Sequence, residues 1–293
     1  MTLSSSRIEI VGLGQIGSSL ASAIIKNNLA KEVIGFTRNL ETAKVAQKMG
    51  IVTKVFMDEK EIFKQKADLV IFAVPVHALI PLIQKIPDNQ NSTLFLDVAS
   101  VKKDVEKAAR KKEIHYVSVH PMAGTERTGI AACNFQLFVN KPFLILPVSR
   151  FSIKTKKMIE DLAEGIGSFP IYLKSAKEHD EITAAVSHLP HLFAYTLLHT
   201  AQKTARKSKA IFWNCAGPSF LDASRVAGSS PEIVFDFLWN NRHSLVPVLD
   251  SAILQLAEIS SWFKGSKKKA LEDWIEEGSI LKALASLAPS ERR

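Results

Sequence analysis

The feature that most constrains this chain is the junction Gly12-Leu13-Gly14-Gln15-Ile16-Gly17, set between the apolar run RIEIV and the helical pattern GSSLASAIIKNN. GxGxxG alone is a weak signal. Here it closes the first strand and opens a helix at the head of a βαβ unit, the setting of a dinucleotide fingerprint. Gly12 permits the tight turn and Gly14 lets backbone approach a pyrophosphate at the helix N-terminus, while Gly17 allows close helix–strand packing. Leu13, Gln15 and Ile16 complete the loop.

The end of the second strand, EVIGFT, bears on which dinucleotide. An NAD site commonly carries Asp or Glu about 20 residues beyond the glycines, bonded to the ribose 2′-hydroxyl. This chain has Thr37 followed by Arg38. A hydroxyl and a guanidinium suit a 2′-phosphate, so NADP is expected. NAD is possible if Arg38 only stacks on the adenine.

Further runs alternate in type. LETAKVAQKMG reads as a helix ending in glycine, ADLVIFAVP as a strand, and a helix starts near His77. STLFLDVAS (strand), VKKDVEKAARK (helix), IHYVSV and FLILPV (strands), a helix over about 153–165 and a short strand PIYLK follow. The strands are continuous apolar runs rather than alternating ones, which indicates burial on both faces. The pattern predicts an α/β fold, a doubly wound parallel Rossmann sheet over 1–174. Ligands of such sheets lie at the carboxyl ends of the strands. Three strand ends deliver Ala73-Val74-Pro75, Ser100 and His120 to that edge, which puts His120 where a hydride would move.

From about 175 the strand signals stop, and 175–293 reads as an all-helical domain. KEHDEITAAVSHLPHLFAYTLLHTAQKTA looks like one long helix, with Ser187 and His191 on one face and Pro190 kinking it or loosening a hydrogen bond. Breaks at Gly228 and Pro231 and two further apolar-periodic helices complete it. A helical domain this apolar is expected to bury surface in a homodimer. His188 and His191 form an HxxH pair, but no carboxylate or cysteine is spaced to complete a metal site, so no metal is expected. His77, His179 and His199 read as surface or helix-end histidines.

Composition narrows the classes. A chain of 293 residues with 46% apolar content suits two domains. The net charge of +9 is scattered over exposed-looking helix faces rather than gathered in one stripe, which favours a solvated surface that steers anions over a nucleic-acid site. No apolar run approaches the 18 or so residues of a membrane helix, and MTLSSSR has no signal-peptide character. The two cysteines, Cys133 and Cys215, lie apart without a CxxC motif. Together these readings point to a reducing cytoplasm.

In order and spacing, GLGQIG, DVASVK, HPMAGTERTG, EHDEITAAVSHLPH and DASRVA resemble the prephenate/arogenate dehydrogenases of tyrosine biosynthesis, over about residues 7–285. The resemblance implies a Rossmann domain, a helical dimerisation domain and a site in the cleft between them. It implies oxidative decarboxylation of a cyclohexadienol, prephenate or arogenate: hydride leaves C4 for the nicotinamide, CO2 leaves C1, and the ring becomes aromatic. On this basis His120 looks like the base on the ring hydroxyl, Ser100 like the hydroxyl that orients it, His191 with Ser187 like part of the ring pocket, and Arg225 like the carboxylate clamp. Glu126 resembles a loop carboxylate that gates or selects substrate. Independently, an alcohol oxidation needs a base of near-neutral pKa, and a dianion needs a fixed cation.

Two positions depart from the family pattern. Thr37 replaces a frequent acidic residue, and Val234 stands where some members carry an aromatic. No mutase or regulatory domain is visible, so any feedback by tyrosine is expected at the active site itself. Two rival readings remain at this level. A β-hydroxyacid dehydrogenase-like reductase would want a lysine acid/base in the helical domain. A non-catalytic NADP-binding redox sensor has no need of His120, Ser100, His191 and Arg225 together.

Overall fold

The computed structural model describes residues 2–88, 90, 92–149, 151–205 and 209–287. The chain runs β1 (Arg7–Val11), α1 (Gln15–Lys26), β2 (Glu32–Phe36), α2 (Leu40–Lys48), β3 (Lys54–Phe56), β4 (Leu69–Phe72), α3 (Val76–Gln84), β5 (Leu94–Asp97), α4 (Lys103–Ala109), β6 (His115–Pro121), β7 (Pro142–Pro147), α5 (Ile153–Gly165) and β8 (Phe169–Tyr172). The sheet order is β3-β2-β1-β4-β5-β6-β7-β8. The order reverses beside β1, the switch point where such folds bind ligands.

Alternate strand residues feed two cores. Ile8, Ile10, Leu69 and Ile71 join Leu20 and Ile24 of α1 and Ile159 and Leu162 of α5. Val11, Val70, Phe72 and Phe95 join Leu79 and Ile83 of α3 and Val105 of α4. Burial on both faces explains the unbroken apolar runs. Two details differ from expectation. The short edge strand β3 carries no apolar run and escaped the pattern. FLILPV pairs antiparallel with β6, Val119 opposite Ile145 and His120 opposite Leu144. Only a 3₁₀ turn at Ile130–Ala132 lies between β6 and β7. Without a crossover helix to carry it back across the sheet, the chain returns antiparallel.

The helical part comprises α6 (Ala176–Thr183), α7 (Leu189–Thr204), α8 (Lys209–Asn214), α9 (Pro218–Ser224), α10 (Pro231–Asn240), α11 (Arg242–Lys264) and α12 (Lys268–Ser286). The expected long helix is broken by a π turn at Ala184–His188, where the Leu189 N–H bonds the Ala184 carbonyl five residues back. Widening the ladder here accommodates Pro190, which has no N–H to give.

Two carboxylates join the helices to the sheet layer. Asp180 of α6 accepts from the Lys102 and Lys103 amides at 2.8 and 3.0 Å, capping α4. Asp236 of α10 accepts from the Val76 amide at 2.8 Å and the His77 ring at 3.0 Å, capping α3. A carboxylate at a helix N-terminus is favoured by unpaired amides and by the dipole. The chain forms two compact units, Met1–Leu245 and Val246–Arg293. The change of pattern at 174/175 is interior to the first, where these caps bind α6 and α10 to α3 and α4. The second unit exposes Leu254, Phe263, Trp274, Ile280 and Leu281 along α11 and α12.

Candidate active site

The glycine loop has the shape that its spacing predicts. Gly12 has φ +103°, and a Cβ there would sit 2.5 Å from the Ala73 carbonyl oxygen. At Gly17 a Cβ would fall 1.8 Å from the Gly12 oxygen. Ala73-Val74-Pro75 therefore packs against the back of the loop. Above Gly14 nothing lies within 4 Å of an added Cβ. Leu13 is buried in the core and Ile16 packs on it.

The N-terminus of α1 differs from its neighbours. Asp236 and Asp180 cap α3 and α4, and Asn39 caps α2 by accepting from the Thr42 amide at 2.8 Å. Helix α1 has Gly14 at its cap with no side-chain acceptor, and no acidic residue in its first turn. The amides of residues 15–17 donate to no partner among the described residues. A loop open above Gly14, leading to unclaimed helix amides, fits a dinucleotide pyrophosphate. At the end of β2, Thr37 is buried and its hydroxyl accepts from the Asn39 amide at 3.3 Å. Arg38 is exposed and meets no carboxylate among the described residues.

His120 lies near the carboxyl end of β6, beside the end of β5 and one strand removed from β4. Its ring is partly buried, and its Nδ1 lies 2.9 Å from His179 Nε2. His179 Nδ1 lies 2.8 Å from Asp180 Oδ1. The two imidazoles are tilted, with centroids 5.1 Å apart. Burial, then the neighbouring His179, then the Lys102 charge push the His120 pKa well below the ordinary imidazole value. Burial and Lys102 depress His179 in the same way. Both rings are neutral at neutral pH. Ser100 is half-buried on the adjacent strand end, and no hydrogen bond joins it to His120.

Beneath His120 lies an interior ion pair. Lys102 is fully buried, and its Nζ donates to Asp97 Oδ1 at 2.6 Å and to the Val119 carbonyl at 2.7 Å. Ser118 Oγ donates to Asp97 Oδ2. Burial lowers the Lys102 pKa, and the Asp97 carboxylate opposes the shift. Both partners carry further hydrogen bonds, which such a pair needs in order to tolerate desolvation. The pair ties the ends of β5 and β6 to the start of α4.

From the helices come two more imidazoles. His188 is buried, stacked on Phe237 at 4.6 Å, with its Nδ1 3.0 Å from the Asn241 amide nitrogen. Burial lowers its pKa to about 4. Asn241 also donates to the Asp180 carbonyl at 2.7 Å. His191 stands edge-on to Phe237 at 5.0 Å, and its Nδ1 donates to the Ser187 carbonyl at 2.9 Å. A carbonyl can only accept, so His191 carries a proton on Nδ1. The Ser187 side chain is half-exposed. Val234 is buried among the core residues of α10.

At the rim, Arg225 Nη1 lies 3.5 Å from Glu126 Oε2, with both side chains substantially exposed. Thr125, beside Glu126, exchanges two hydrogen bonds with the Gln15 side chain, one being Thr125 N–H to Gln15 Oε1 at 3.1 Å. The HPMAGTE loop is thereby tied to the glycine loop.

The structure thus brings Glu126 to Arg225, and His120 to the strand ends. It also corrects one reading. His179 is not a surface or helix-end histidine but a fully buried partner of His120. Asp180, Lys102, Asp97 and Asn241 were not singled out from the sequence either. Their only signal is a His-Asp dipeptide and a lysine inside apolar surroundings, neither of which states a partner.

A switch-point glycine loop with an unclaimed helix amide cluster, facing a neutral histidine at the same sheet edge, defines a dinucleotide-dependent oxidoreductase of the Rossmann-plus-helices class. Comparison with known proteins narrows the class. Residues 20–169 match the family described as prephenate dehydrogenase, nucleotide-binding domain, and residues 175–277 match prephenate dehydrogenase, dimerization domain. The chain is 30% identical to prephenate dehydrogenase of Lactococcus lactis subsp. cremoris over 94% of this chain and 76% of that protein. It is 33% identical to cyclohexadienyl dehydrogenase of Zymomonas mobilis over 86% of each. Its fold matches the crystal structure of Aquifex aeolicus prephenate dehydrogenase with hydroxyphenyl propionate and NAD+, with TM-score 0.87, 22% identity, and 97% and 99% of the two chains covered. This chain belongs to the prephenate dehydrogenase family.

Proposed function

We propose that the protein oxidatively decarboxylates a cyclohexadienol, prephenate or arogenate, in tyrosine biosynthesis, with NADP as the preferred nicotinamide cofactor. The observation that carries this reading is a neutral imidazole, His120, at the sheet edge that holds the glycine loop. Bound there, the cofactor supplies a hydride acceptor. His120 takes the proton of the ring hydroxyl as hydride leaves C4. Loss of CO2 from C1 then follows from aromatisation, so the protein's main task is to position C4 and the hydroxyl. A base held neutral at neutral pH suits this step.

Arg225 is the cation for the substrate carboxylate, exchanging Glu126 for it on binding. His191, edge-on to Phe237, and Ser187 and Ser100 line the ring pocket. Arg38, exposed and without a carboxylate partner among the described residues, is the group for a 2′-phosphate. In arogenate the ammonium has a natural partner in Glu126. The family's dimerization domain and the exposed apolar residues of α11 and α12 support a homodimer. No helix among the described residues is long and apolar enough to cross a membrane.

The test is direct. Formation of NADPH or NADH is followed with each cyclohexadienol and the matching oxidised cofactor. No reduction with any combination refutes the activity, and a lower Michaelis constant for NAD refutes the preference. Replacing His120→Asn should cut turnover by about 10²–10⁴-fold with cofactor binding retained.

A further inference from the structure

We propose that His179 and Asp180 are positioning residues that fix the tautomer of His120, leaving its Nε2 as the bare, proton-accepting atom. This rests on the reading of His120 as the base and adds which atom acts and what holds it.

The chain of contacts is continuous and buried. Asp180 Oδ1 faces the Lys102 amide at 2.8 Å and His179 Nδ1 at 2.8 Å, and Oδ2 faces the Lys103 amide at 3.0 Å. Every polar group directed at this carboxyl is a donor or can be one, and two are backbone amides at the start of α4. Burial raises the Asp180 pKa, and the two amides and the Lys102 charge oppose the shift; a carboxylate met only by donors accepts from each of them. His179 must then place its proton on Nδ1. Being neutral, it has a lone pair on Nε2, which lies 2.9 Å from His120 Nδ1. Two lone pairs cannot meet at that distance, so His120 carries its proton on Nδ1 and has none on Nε2.

A free neutral imidazole would sample both tautomers. Here one carboxylate, already committed to capping a helix, dictates the state of two rings in series. The same contact orients the His120 ring, and it occupies the nitrogen that a serine hydroxyl would otherwise hold. Asn241 extends the order one step further, since its amide bonds both the Asp180 carbonyl and His188 Nδ1. The lock survives a turnover. When His120 takes a proton at Nε2 it becomes a cation whose Nδ1–H still donates to His179, and that partner in turn leans on the carboxylate.

The experiment is nitrogen NMR of the histidine rings in the full-length protein labelled at ring nitrogens, with His120 signals assigned by their loss in His120→Asn. The expected result for the unmodified protein is a protonated Nδ1 and a bare Nε2 on His120. Finding the proton on Nε2 of the unmodified protein overturns the proposal. In Asp180→Asn, the amide can accept through its oxygen or donate through its nitrogen, so it no longer dictates the state of His179. The His120 signals should then lose their single-tautomer character, and kcat should fall by about 10²–10⁴-fold with Michaelis constants changed less than threefold or so. In His179→Phe, which keeps a ring but no nitrogen, His120 should lose its single tautomer and kcat should fall alike. Unchanged His120 signals and unchanged kcat in both variants overturn the proposal.

The base reading fails separately. If His120→Asn keeps near-normal turnover, His120 is not the base, and the unmodified protein's NMR still decides whether the relay exists.

Discussion

Two charged pairs flank the candidate site, and they differ in almost everything. Lys102 and Asp97 meet at 2.6 Å with both side chains fully buried. Arg225 and Glu126 meet at 3.5 Å with 59% and 42% of their side chains exposed. The inner pair carries further hydrogen bonds, to the Val119 carbonyl from Lys102 and from the Ala99 amide and Ser118 hydroxyl to Asp97, and it ties strand ends together. The rim pair is screened by water and costs little to open. Under the proposed function, the first kind of contact underlies the base and the second kind meets the substrate.

The sharpest way to break this comparison is Lys102→Met, which leaves Asp97 buried without its cation. The expected loss is about 3–5 kcal/mol in denaturant unfolding. A loss below about 1 kcal/mol would place the inner pair with the outer one.

Next comes pH. The folded protein holds His188 neutral down to about 4, while the unfolded chain protonates near 6.5. Between those values the unfolded state binds more protons. Stability is therefore complete above about 6.5 and is lost as pH falls toward 4, by roughly 3 kcal/mol from this ring, with His179 and His120 adding in the same sense. Glu9, raised by burial to about 7, acts oppositely: its neutral form is favoured in the fold, so its contribution is lost as pH rises from about 4.5 through 7. Its Oε2 has no hydrogen-bond partner among the described residues. Thermal melts from pH 4 to 7 should show a steeper acid loss in Glu9→Gln than in the parent, and equal slopes would contradict the assignment.

At the rim, Arg225→Ala should raise the substrate Michaelis constant by about 10²-fold and change unfolding stability by no more than about 1 kcal/mol. An unaltered Michaelis constant removes it from the carboxylate site. The smallest effect is expected for Glu126→Gln, about 0.5 kcal/mol in stability, with binding of arogenate weakened more than that of prephenate. Equal change for both substrates would show that no ammonium is read at this position.

Legibility followed the distance between partners along the chain. The glycine loop, the strand runs, and the histidine and serine at neighbouring strand ends could all be placed, because each is announced by residues a few positions away. The antiparallel return of β7 was missed because direction depends on what connects two strands, and the apolar run FLILPV reads alike either way. The π turn at Ala184–His188 was half-legible, since Pro190 signals a disturbed ladder but not its form. His179 was misread because a histidine near a helix start is ordinary until something buries it.

By itself the sequence determined a dinucleotide loop, a doubly wound sheet and a histidine at its working edge, since glycine spacing and apolar period act locally on the backbone. Only the tertiary structure decided what that histidine is. Its partner His179 lies 59 residues away, and the amide that orders Asp180 lies 78 residues from it. Such pairings arise when packing excludes water and leaves each buried polar group one available partner.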